Sequence, residues 1–166
     1  MLSWLNFAPV LLLLLTPVSY AKRLEMVQKD LGKLEKKFAE QKDPVNQAKA
    51  LAKLLPKEVE HAGILIQAGK VDDGIEVLTH YRGETHRVYE ALEATGRNPV
   101  KKPQGYMQLQ IALRESVRQL SDVVYLVPYE RRGPVEAVRA DMEQLNARLL
   151  QALFPPPSPK AKRKHE

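Results

Sequence analysis

From Leu24 to Leu153 the apolar residues return at intervals of three and four, and no stretch alternates apolar with polar long enough to make a strand. Intervals of three and four gather side chains on one face of an α-helix, whereas a half-buried strand needs an interval of two. The chain is therefore expected to be all-α. Leu24, Val27, Leu31, Leu34 and Phe38 draw a first, narrow stripe on a helix otherwise covered by Lys, Glu, Gln and Asp. So narrow a stripe is that of a coiled-coil seam, which places the helix on the outside of a bundle or against another copy.

Prolines and glycines punctuate the rest. Asp43-Pro44 is a helix start, with Asp as N-cap and Pro in the first helical position. Val45, Ala48, Ala52, Leu55, Val59, Ala62 and Ile66 carry the rhythm to Gly69, a C-terminal cap. The phase survives Pro56, so a helix kinked there, or two collinear helices, is expected. A third helix should run from Val71-Asp72-Asp73 to Thr95 and end at Gly96, with Ile75, Leu78, Tyr81, Val88, Tyr89 and Leu92 inward. Gly74 and Gly83 fall on it, each up to about 1 kcal/mol less favourable than Ala, and close approach of another helix would explain them. A linker, residues 97–105, holds two prolines and a glycine. A fourth helix is expected over Tyr106 to Val127, ended by Pro128, and a fifth from Pro134 to about Phe154. The expected architecture is an antiparallel helical bundle of four to five amphipathic helices over residues 22–154.

The turn Gly69-Lys70-Val71-Asp72-Asp73-Gly74-Ile75-Glu76-Val77-Leu78 resembles the inter-helix turn of a tetratricopeptide repeat, in which a glycine and a short polar turn join two antiparallel helices. The resemblance covers about ten residues, has Gly74 where alanine is usual, and finds no second copy at a spacing of about 34 residues. It implies a helical hairpin between the second and third helices and nothing of a repeat protein's binding groove.

The two ends are of another kind. Met1 to Ala21 carries no charged side chain and contains the run Val10-Leu11-Leu12-Leu13-Leu14-Leu15, then Pro17 and Ser19-Tyr20-Ala21. Small residues at the third and first positions before a cut suit a signal peptidase, so a leader cleaved after Ala21 is expected, delivering a periplasmic or extracellular protein. The alternative is a membrane anchor over residues 1–20, since about 19 uncharged residues can span a bilayer. At the other end Pro155-Pro156-Pro157-Ser158-Pro159 must be extended, and a disordered basic tail closes residues 155–166.

The charge layout matters more than the net +6. Residues 22–57 are strongly basic, 58–96 acidic, and 97–154 basic again. Opposed neighbouring segments suit helices that pack side by side. Cysteine is absent, which excludes disulfides, thiolate metal sites and c-type haem attachment within this chain.

Chemistry leaves few marks. Glu58 and His61 have the Glu-x-x-His spacing that di-metal bundles use twice, but it occurs once. Glu76, His80 and Glu84 share one helix face, most simply as a solvated face with weak acid–imidazole pairs. His80 and His86 stand about 240° apart around a helix and cannot share an ion. Ser116 and Ser121 have no evident base, and there is neither a nucleophile-elbow motif nor a phosphate loop. No catalytic residue, cofactor or metal is expected. The reading is an exported, non-enzymatic protein acting through contact with a protein partner or with itself. Leu24, Val27, Leu31, Leu34, Phe38, Tyr81, Tyr89, Tyr106 and Tyr129 are the contact candidates. The alternative is an envelope-tethering protein whose Lys160, Lys162, Arg163 and Lys164 touch anionic lipid or cell-wall polymer. The tail has no aromatic for base stacking, so sequence-specific nucleic-acid binding is not expected.

Overall fold

The computed structural model describes residues 17–156, and among them every regular element is helical. The apolar run Val10–Leu15 and the tail cations Lys160, Lys162, Arg163 and Lys164 lie outside these residues. Five α-helices follow in order: α1 (Pro17–Ala39), α2 (Pro44–Gln67), α3 (Val71–Ala94), α4 (Tyr106–Leu126) and α5 (Arg132–Leu153), with a 3-10 turn at Tyr129–Arg131 before the last. None of them is long and apolar enough to cross a membrane.

Local chemistry sets the ends of α2. Asp43 accepts a hydrogen bond from the Asn46 amide at 2.9 Å, and Pro44 opens the helix. At its far end Lys70 N–H reaches the Leu65 carbonyl and Gly69 N–H the Ile66 carbonyl, the paired bonds of a Schellman turn. That turn requires a left-handed residue, and Gly69 supplies it at φ 82°. Of the two readings of Pro56, the single helix holds. α2 runs continuously through Pro56, which has no N–H to give to the carbonyl of Ala52.

Helices α2, α3, α5 and α4 form a ring, each packed on the next, and α1 packs on α2 from outside. The hairpins α2–α3 and α4–α5 are antiparallel. The linker after α3 crosses the end of the bundle and sets α4 parallel to α2: Tyr106 at the start of α4 donates to the Leu92 carbonyl at 2.9 Å, while Val123 and Leu126 at its end approach Gly63. Leu51, Leu55, Leu78, Leu92, Leu109, Leu113, Leu120, Met142, Leu145 and Leu149 are fully buried in the shared core. At about 1.5–3 kcal/mol for each such side chain, this burial is the main stabilising term. Where α2 meets α3 the approach is close. A Cβ on Gly74 would fall 2.6 Å from Ile66 Cγ1 and 3.0 Å from the Ala62 carbonyl oxygen, whereas Gly83 has nothing within 4 Å. Close packing therefore accounts for Gly74 alone.

α1 spans Pro17–Ala39 and runs unbroken across Ala21–Lys22, because Val18 to Arg23 contains no helix breaker. α5 begins at Arg132, two residues before Pro134. Pro134 fits there because the amides of a helix's first turn have no intrahelical partner. Ion pairs join oppositely charged segments as expected: Arg23 of α1 meets Glu60 of α2, and Arg131 meets Asp72 of α3.

Candidate functional site

Because α1 rests on α2 and not on the α2–α3 seam, a cleft of about 580 Å³ opens between α1 and α3. α1 contributes Leu24, Gln28, Leu31 and Glu35; α2 contributes Glu58, His61 and Leu65; α3 contributes Asp73, Glu76, Val77 and His80, with Lys70 just ahead of it. At the C-terminal end of α1 the wall closes, where the Arg87 guanidinium lies 5.6 Å from the Phe38 ring centre.

Glu58 stands at the floor of this cleft. It lies in phase with Leu51, Leu54, Leu55 and Ala62, so its carboxylate is carried into the bundle on the apolar face of α2. Its side chain is 5% exposed, and His80 Nδ1 stands 3.5 Å from Oε1. Oε2 is buried and has no hydrogen-bond partner among the described residues, and the same holds for His61 Nε2. Burial raises the Glu58 pKa to about 7; His80 pulls against this by charge and hydrogen bonding, and Glu35 and Glu84 add to it. Burial lowers the pKa of His61, opposed by Glu35. The cleft can thus take up or release a proton near neutrality. Its lining offers carboxyl, imidazole and amine groups, but no hydroxyl or thiol nucleophile. Among the described residues no three metal-ligating side chains converge on one point.

A second feature lies at the α4–α5 turn. Tyr125 and Tyr129 are 75% and 80% exposed. The Arg132 guanidinium sits 5.8 Å from each ring centre, and its Nε donates to the Val127 carbonyl at 3.0 Å. Leu126 beside them is also exposed.

The sequence-derived contact residues divide sharply. Val27, Leu31 and Phe38 are buried, and Leu24 and Leu34 half-buried, by packing on the core that begins at α2. The α1 seam is thus occupied within the chain. Tyr81, Tyr89 and Tyr106 are buried, so in this conformation they offer no contact surface, contrary to the expectation placed on them. Their rings fill the core; Tyr89 OH donates to Glu93 at 2.7 Å and Tyr106 OH to the Leu92 carbonyl, whereas the buried Tyr81 OH has no hydrogen-bond partner among the described residues. Tyr129 alone of these tyrosines is presented to solvent. Tyr125 was missed; its signal is an aromatic out of phase with the α4 stripe. Glu58 was read with His61 and His80 with Glu76 and Glu84, yet the structure brings Glu58 and His80 together across α2 and α3.

The chain matches no protein-family model, no curated protein and no solved structure.

Proposed function

We propose that this protein is an exported, non-enzymatic helical bundle that acts through contact with another protein. The observation that carries the reading is the Tyr125–Arg132–Tyr129 stack. Exposed tyrosine and arginine are the residue types that most often anchor protein interfaces. Here the arginine is already held by a backbone carbonyl and two rings, so little side-chain freedom is lost when a partner docks. The uncharged leader, with its apolar run and its Ser19-Tyr20-Ala21 end, supports export.

The test is photo-crosslinking in the native cell, with a photo-reactive amino acid placed at Tyr129 and, as a control, at exposed Glu143 on α5. Position 129 should give a discrete adduct that position 143 does not. The adduct should survive deletion of residues 155–166. Equal labelling from both positions, or loss of the adduct with the tail, would count against the reading, and the latter favours tethering by the basic tail. The mass of the native chain tests export, which should remove the first 21 residues.

A further inference from the structure

We propose that the cleft between α1 and α3 binds a small organic cation, a primary ammonium on an apolar body, with the ammonium seated on Glu58. A buried carboxylate oxygen without a hydrogen-bond donor is unfavourable unless a cation or donor meets it. Glu58 Oε2 is such an atom, on a side chain 5% exposed that opens into the cleft. His61 Nε2 is a second hidden atom without a partner. With the proton on Nδ1, Nε2 accepts a hydrogen bond. An ammonium has three N–H donors and no acceptor, which suits a carboxylate and a neutral imidazole on one helix turn.

The surroundings agree in charge and shape. Four carboxyl groups, Glu35, Glu58, Asp73 and Glu76, line the cleft against one lysine, Lys70. Leu24, Leu31, Leu65 and Val77 supply apolar wall for the body of the ligand. The cleft's volume falls in the range of small-molecule sites, roughly 300–1,000 Å³. A metal ion fits less well, because no three ligating side chains converge among the described residues.

Binding should respond to pH through Glu58. The titratable groups that face it are Glu35 on α1 and His80, Tyr81 and Glu84 on α3, with His61 of α2 lining the same cleft. An ammonium selects ionised Glu58, so affinity should rise from acid to mildly alkaline pH and binding near neutrality should release a proton.

Titration calorimetry of the full chain with phenethylamine, which stays protonated throughout, tests this. Saturable one-to-one binding is expected, weaker by at least about tenfold at pH 5.5 than at pH 8. The neutral analogue 2-phenylethanol should not compete. At pH 7, buffers of different ionisation enthalpy should reveal proton release, which E58Q abolishes along with tenfold or more of the affinity while its helical circular dichroism is unchanged. No saturation, equal binding of the alcohol, or undiminished binding by folded E58Q each overturns the proposal. So does Zn²⁺ binding that needs Glu58 when the amine does not bind, because the cleft is then a metal site.

Discussion

Helix α3 faces an acid on each of two sides, and the two acids are treated in opposite ways. Toward α5, Asp141 meets His86 Nε2 at 2.8 Å and the Arg82 guanidinium. Burial alone would raise its pKa, but the hydrogen bonds and charges of His86 and Arg82 more than reverse this and hold it below the usual carboxylate range. Toward α2, Glu58 is buried more deeply, faces one imidazole at 3.5 Å, and is pushed up to about 7. The difference teaches that a buried carboxylate is a clasp or a liability according to how many donors reach it. His80 and His86, six residues apart, serve the two sides separately, as helical geometry requires.

The sharpest way to break this comparison is pH. A folded-state pKa near 7 lies above the ordinary 4.5, so ionisation of Glu58 opposes folding. Its contribution should be most favourable below about pH 4.5 and be lost as pH rises to 7, by up to about 3 kcal/mol. Urea unfolding midpoints from pH 4 to 8 should show this fall, and E58Q should flatten it and be the more stable protein at pH 8. Asp141 has the opposite sign. Its folded pKa lies below the ordinary 3.8, so its contribution is present above that value and lost as pH falls through the folded pKa.

Smaller effects sharpen the same division. Gly74→Ala drives a methyl against Ile66 and the Ala62 carbonyl, and thermal unfolding should show a loss of about 1–3 kcal/mol. Asp141→Ala removes the clasp on the α5 side and should lower stability by about 1 kcal/mol, since Arg82 is half-exposed and screened. Gly83→Ala, on an exposed and open stretch of α3, should raise stability by somewhat under about 1 kcal/mol. A fall with Gly83→Ala, or a rise with Gly74→Ala, would show that the packing of α3 is misassigned.

The helices were legible because their signals are local. Asp43-Pro44, Gly69 and Pro128 stop or start a chain by their own backbone chemistry, and the three–four rhythm names the buried face. Pro134 marks the first turn of α5, but because a proline is accepted anywhere in that unbonded turn it does not fix the first helical residue, which is Arg132. The cleft was harder to read because it depends on the register between helices. Which imidazole meets Glu58 is decided by how α3 slides along α2, and that is set by the Gly69 turn and the fit at Gly74. One signal was present: Glu58 sits in phase with Leu51, Leu55 and Ala62, a charge where the pattern calls for an apolar residue. The tyrosines failed for a different reason. An amphipathic ring suits surface and interior alike, and only the packed structure separates buried Tyr81 from exposed Tyr129.

The crossover between α3 and α4 divides the molecule into two self-contained hairpins, α2–α3 and α4–α5, whose turns each close locally. A nick between exposed Val100 and Lys101 would sever neither hairpin and touch no core side chain. The two pieces would each keep a complete antiparallel pair and present complementary greasy faces, so they should reassemble when mixed, making the chain a natural pair of split halves.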